Sequence, residues 1–203
     1  MLDAIQEHLE HIYGIRCEYR ASDFLVDAEA ARQLGGSGRA REELLVSEGD
    51  EGLELALYVD PSLLQKVTSA RSPDLGDFCE VAEGVSHFVY VAQAAGQERH
   101  VSLLELEAQA EVDKFALCTL SGWGGSVGSW ARSLVSRLFE QVELRGTLSA
   151  AERWRYSEAN RLAKRYCERL MPMVRGVKLE SLLSELRHAY RLGAEAKLAY
   201  FAR

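Results

Sequence analysis

The chain has 203 residues and a formal net charge of −7; 47% of its residues are hydrophobic and 27% are charged. These proportions are typical of a folded globular protein and exclude a disordered or fibrous chain. The mean hydropathy is −0.16, and no apolar run approaches the roughly 18 residues that a membrane-spanning helix needs. The first residues lack the basic and then apolar pattern of a secretion signal, so we expect a cytoplasmic protein without a membrane segment.

The N-terminal part combines helix and strand patterns. Apolar residues at a helical period predict a helix over 2–13 that ends at Gly14. Two β-prone runs, 43–47 and 53–59, are joined by a glycine-containing turn and predict a β-hairpin. Two strand-like segments and a short helix that follows Pro61 complete this part: 15–19, 23–26 and 62–67.

The rest of the chain carries helical patterns. Ser72 and Pro73 predict the N-cap and the first residue of a helix that runs to about Ala95. Four more helices are predicted over 101–120, 131–142, from a cap at Thr147 or Ser149 to Pro172, and over 178–200. The sequence therefore predicts a mainly helical α+β fold, in which a small N-terminal β-hairpin or sheet layer packs on a helical hairpin and a helical C-terminal region follows.

Charge and cysteine content restrict the function. Residues 1–145, the predicted α+β core domain, hold 12 Lys and Arg against 25 Asp and Glu, a net charge of −13. Residues 146–203, a predicted helical extension packed on the same core, hold 12 against 6, a net charge of +6. Acidic residues interleave with the basic ones, which is typical of a solvated helix, so we do not expect nucleic-acid binding. Four scattered cysteines predict buried, reduced thiols: Cys17, Cys79, Cys118 and Cys167.

The two central helices each carry a polar stripe. At about 100° per residue, the side of the first helix opposite its apolar arc holds Glu80, Glu83, His87 and Tyr90. A narrow stripe of the second helix, flanked by apolar side chains, holds Glu107, Glu111, Lys114 and Cys118. The open polar face of that second helix is predicted elsewhere, at Glu105, Gln109 and Thr119.

An antiparallel hairpin of these two helices predicts that His87 lies opposite Glu107 and Glu111. Buried carboxylates need a partner, and an imidazole with carboxylates between helices is a site for zinc or another divalent metal. The candidate ligands are Glu83, His87 and Glu111, supported by Glu80, Glu107, Lys114 and Tyr90. Two other interpretations stay open: a surface pair of Glu83 and His87, and a buried ion network without metal.

The order of these segments resembles a minimal zincin metallopeptidase. A strand ending in Ala56–Pro61 precedes a helix with Glu83-Gly84-Val-Ser-His87, and the next helix carries Glu107 and Glu111. In zincins the first helix carries H-E-x-x-H, and in the gluzincin branch the following helix supplies a glutamate ligand. The resemblance implies that His87 is the second histidine and Glu111 the third ligand.

The same resemblance places Glu83 at the first histidine and Gly84 at the general base. Because Gly84 has no side chain to deprotonate water, the resemblance implies a scaffold without conventional peptidase chemistry. We therefore predict a non-catalytic, zincin-like interaction or regulatory protein, without a cofactor, that binds a protein partner or a second copy. Trp123 and Trp130, around a glycine-rich segment, are its candidate partner-binding residues. The alternative is a metal-dependent hydrolase that uses Glu83, His87 and Glu111.

Overall fold

A computed structural model describes residues 1–49, 52–70, 73–121, 127–141 and 148–203, except for the side chains of 127–129 and 131–132. Within these residues, helices predominate and the strands form one small sheet, which confirms the predicted α+β, mainly helical fold. The strands are β1 (Leu25–Val26), β2 (Glu42–Gly49) and β3 (Gly52–Val59). The helices are α1 (Leu2–Tyr13), α2 (Ala28–Gln33), α3 (Pro61–Ser69), α4 (Leu75–Ala95), α5 (Leu103–Ser121), α6 (Val127–Phe139), α7 (Ala150–Arg175), α8 (Leu179–Tyr190) and α9 (Ala194–Phe201).

The chain divides into two compact units. The first contains Met1–Glu10 and Arg16–His100, and the second contains His11–Ile15 and Val101–Arg203. The domain boundary predicted between residues 145 and 146 lies outside the described residues.

The first unit is built on a sheet in the order β1-β3-β2. β2 and β3 pair antiparallel, with Leu44 opposite Leu57, which confirms the predicted hairpin. β1 pairs parallel to β3, and α4 packs against both β2 and β3. Because apolar residues alternate along β3, Leu57 is fully buried together with Val85 of α4.

The start of α4 differs from the prediction. The helix begins at Leu75, and the Asp74 side chain accepts hydrogen bonds from the backbone N–H groups of Gly76 and Asp77. Pro73 therefore precedes the helix, and Ser72 lies outside the described residues. Asp74 is the N-cap because its carboxylate accepts hydrogen bonds from two backbone N–H groups that have no helical partner in the first turn.

In the second unit, α5 contacts α6, α7 and α9. The prediction of an open polar face on α5 is wrong, because its three members are buried: Glu105, Gln109 and Thr119. Several helices surround α5, so its polar side chains meet other side chains instead of water. The predicted polar stripe is mostly buried as well, since Glu107, Lys114 and Cys118 are all buried.

The long helix α7 begins as predicted and ends later than predicted. Ser149 and Glu152 form the predicted capping box. Pro172 lies inside the helix, which continues to Arg175, so the prediction that it stops the helix is wrong. Although proline removes one helical hydrogen bond, Met171 and Val174 on either side of it are buried, and their packing keeps the last turn helical.

Two other predicted elements are also wrong. The single helix expected over 178–200 is divided into α8 and α9, and Gly193 is the N-cap of α9. Residues 15–19 form no strand, and the amide of Gln93 donates a hydrogen bond of 2.6 Å to the backbone oxygen of Arg16. Among the described residues, no helix combines the length and apolar character needed to cross a membrane.

The turn after α7 contains a strained residue. Val177 has a φ of 53° and is 60% exposed, and a β-branched side chain disfavours this left-handed conformation. We expect Val177→Gly to raise the free energy of unfolding by about 1 kcal/mol, with Val177→Ala giving a smaller gain. Urea unfolding measures both variants. A decrease in the free energy of unfolding with Val177→Gly would contradict the interpretation that Val177 is strained.

Candidate metal centre

Two of the predicted ligands come from one turn of α4. Glu83 and His87 are four residues apart and therefore lie on the same face of the helix. His87 is only 8% exposed, because α4 is buried on nearly all sides from Val81 to Val91. The interpretation as a solvent-exposed surface pair is therefore excluded.

Glu83 and His87 are two possible metal ligands within the first unit. His87 is buried and Glu83 is half-buried. An imidazole nitrogen and a carboxylate oxygen are ligands that divalent transition metals bind in proteins. Glu107, on α5 of the second unit, is buried as well.

Glu111, the third ligand implied by the zincin resemblance, binds a lysine on its own helix. Its Oε1 atom accepts a hydrogen bond of 2.8 Å from Nζ of Lys114. Within the second unit, the partner of Glu111 is therefore a cation of its own helix.

The residues around Glu83 on α4 have structural contacts. Glu80 Oε2 lies 2.8 Å from a guanidinium nitrogen of Arg41, which also binds Asp77 at 3.0 Å. A Cβ atom at Gly84 would lie 3.0 Å from Oε2 of Glu42 and 3.1 Å from a methyl carbon of Leu57. Position 84 therefore faces the sheet of the first unit, where a glycine leaves room for β2 and β3.

The remaining candidates lie in separate environments. Tyr90 is buried, and the guanidinium of Arg99 lies 5.1 Å from its ring centre. Trp130 is half-buried, and its indole N–H donates a hydrogen bond of 3.4 Å to the backbone oxygen of Cys118. Trp123 lies outside the described residues. The partner-binding role of the two tryptophans stays a prediction.

A buried polar network in the second unit was not predicted. The hydroxyl of Tyr13 donates to Oδ1 of Asp113, which also accepts a hydrogen bond of 2.7 Å from Gln109. The amide oxygen of Gln109 accepts a hydrogen bond of 2.6 Å from Nζ of Lys197. The Tyr13 pKa is raised, first by burial and then by the negative charge of Asp113.

The sequence did not predict this network, and the reason is physical. Lys197 belongs to a short segment of alternating polar and apolar residues, and nothing in it marks a lysine as fully buried. Lysine is rarely buried without a partner, and its partners lie 88 and 7 positions away along the chain. Contacts between residues that are not neighbours in the sequence form only when the chain folds.

Comparison of the chain with models of known protein families, with curated proteins and with solved structures found no match.

Proposed function

We propose that this chain is a metal-binding protein that holds a divalent transition-metal ion at Glu83 and His87 of α4. The observation that supports it is one carboxylate and one imidazole on the same face of a helix, one turn apart. His87 is only 8% exposed and Glu83 is half-buried. This burial strengthens the attraction, because a partly buried carboxylate is more strongly attracted to a cation than an exposed one.

Zinc, manganese and ferrous iron are the ions that fit this donor set, since imidazole and carboxylate both serve as their ligands. Two protein ligands leave further positions for water in a tetrahedral site. Hydrolysis, the alternative function, also needs a general base near that water. Glu80 is held by Arg41 and position 84 is a glycine that faces the sheet, so the contacts favour metal binding over hydrolysis.

Removal of single ligands tests this proposal. Chelator-treated protein titrated with zinc chloride in a calorimeter is expected to bind about one equivalent. We expect His87→Ala and Glu83→Gln to weaken zinc binding by about 100-fold or more, because changes outside the ligand shell already cost 10- to 100-fold. Circular dichroism of the metal-free variants checks that they remain folded.

Glu80→Gln is the matched control, because it removes a carboxylate one turn from Glu83 on the same helix. We expect its zinc affinity to remain within about threefold of the unaltered protein, since Glu80 lies 2.8 Å from Arg41. If Glu80→Gln abolishes binding while Glu83→Gln does not, the proposed carboxylate ligand is wrong. Zinc binding that survives His87→Ala would contradict the proposal.

A further inference from the structure

The outer edge of β2 pairs with no other strand among the described residues, because the sheet has the order β1-β3-β2. One hydrogen bond shows which backbone groups lie at this edge: the N–H of Asp60 donates to the backbone oxygen of Arg41 at a distance of 2.7 Å. These two residues lie one position beyond the first pair of the β2–β3 register, and hydrogen-bonded pairs alternate with non-hydrogen-bonded pairs along antiparallel strands. The N–H and C=O groups of Leu44, Val46 and Glu48 therefore point away from β3.

The same edge carries exposed apolar side chains. Leu44 lies opposite Leu57, and residues directly opposite each other in an antiparallel pair share a face of the sheet. Side chains two positions apart also share a face, so Val46 and Leu53 continue the face on which Leu57 is buried. Val46 is 49% exposed and Leu53 is 37% exposed. A strand added beside β2 would cover Val46 while its main chain formed hydrogen bonds with the outward backbone groups.

The charge of the hairpin determines which kind of strand fits this edge. The stretch 42–54 contains no lysine or arginine and six acidic residues: Glu42, Glu43, Glu48, Asp50, Glu51 and Glu54. Arg41 precedes this stretch, and Asp77 and Glu80 bind its guanidinium. A second copy of the chain would bring the same acidic residues alongside, and like charges on neighbouring strands are destabilising. A basic segment would instead be attracted to the edge.

We propose that the outer edge of β2 binds an extended segment of a partner protein in which basic residues alternate with β-branched apolar residues. The segment adds to the sheet as a further strand, and its main chain forms hydrogen bonds with the outward backbone groups of β2. Side chains alternate between the two faces of a strand. The apolar residues of the segment therefore lie beside Val46, and its basic residues lie on the opposite face, which carries Glu43 and Glu54.

Fluorescence anisotropy of a labelled peptide with four lysine–valine repeats tests this proposal on the full chain. We expect saturable binding, and we expect Val46→Pro to weaken it by about tenfold or more, because proline removes an outward N–H group and its ring obstructs an added strand. The β2–β3 hydrogen bonds remain, since the N–H of Val46 points away from β3. Val46→Thr is the matched control and is expected to bind within about threefold of the unaltered protein, because it keeps the N–H group and the β-branched shape.

A second peptide separates strand addition from attraction by charge alone. Four lysines followed by four valines carry the same charge without the alternation, and this peptide is expected to bind at least about tenfold more weakly. Equal binding of the two peptides overturns the proposal, as does equal binding of the alternating peptide by Val46→Pro and the unaltered protein. Absence of saturable binding overturns it as well.

Analytical ultracentrifugation of the unaltered protein and of Val46→Pro tests the other occupant of the edge. A dimer that Val46→Pro dissociates would assign the edge to a second copy and overturn the proposal, which predicts that β2 mediates no self-association. Should Val46→Pro not fold, Val46→Lys keeps the backbone N–H group and repels a basic segment, so it gives the same peptide comparison. Zinc binding by Glu83 and His87 is measured separately and does not depend on any of these results.

Discussion

Replacement of Lys197 with alanine is expected to lower the free energy of unfolding by about 3–5 kcal/mol. Lys197 is fully buried, and its Nζ atom donates hydrogen bonds of 2.6 Å to Gln109 and 3.1 Å to the backbone oxygen of Tyr190. Alanine would leave both oxygens buried without this donor. It would also remove a buried positive charge from a network that contains Asp113.

Urea unfolding of Lys197→Ala measures this loss. Lys197→Met keeps the aliphatic length, so we expect it to recover packing but still to lose about 2 kcal/mol with the hydrogen bonds. Lys66→Ala, at an exposed position of α3, is the control and is expected to change stability by less than about 0.5 kcal/mol. A loss below about 1 kcal/mol in Lys197→Ala would show that the network does not stabilise the second unit.

Gly84→Glu is expected to destabilise the first unit by at least about 3 kcal/mol. A Cβ atom at position 84 would already press on Glu42 and Leu57, at 3.0 and 3.1 Å. A glutamate there adds volume to a packed contact and a second negative charge beside Glu42. Gly84→Ala adds only the Cβ atom, which the neighbouring side chains accommodate by small shifts, so we expect a loss of about 1 kcal/mol.

This prediction also bears on the zincin resemblance. Position 84 is where that pattern carries its general base, and in this fold the position faces the sheet. Gly193→Glu is the control, since among the described residues no atom beyond the adjoining chain lies within 4 Å of a Cβ placed there, and it is expected to change stability by less than about 1 kcal/mol. A fully stable Gly84→Glu protein would show that position 84 is open and able to carry a catalytic carboxylate.

Much of the fold was predictable from local pattern. The helices α1 and α4 and the hairpin of β2 and β3 carry strong hydrophobic periods and clear end residues, and they occur close to the predicted bounds. Pro172 shows where such reasoning fails. Proline disfavours the interior of a helix, so the sequence indicates a helix end at this position. The residues on both sides of it are buried, and their packing stabilises the helix beyond it.

The environment of α5 was harder to predict. Polar residues occur on several faces of this helix, so their positions in the sequence do not indicate which face is exposed to solvent. Burial of Glu105, Gln109 and Thr119 depends on which helices surround α5. Helical periodicity describes one helix at a time and carries no information on its neighbours.

The candidate metal site was predictable in part. Glu83 and His87 share one helix face, and their spacing alone places them together. A further ligand could not be chosen from spacing, because Glu107 and Glu111 are one helical turn apart, about 6 Å along the axis. The seven residues 96–102 between α4 and α5 allow many paths, so helical spacing does not determine how the two helices pair.

The most direct test of metal binding by Glu83 and His87 is an anomalous difference map from crystals soaked in zinc chloride, recorded at the zinc absorption edge. We predict one strong peak about 2.0–2.2 Å from a carboxylate oxygen of Glu83 and an imidazole nitrogen of His87. A folded protein whose map shows no peak at these side chains, or a peak held by other residues, would contradict the proposed site.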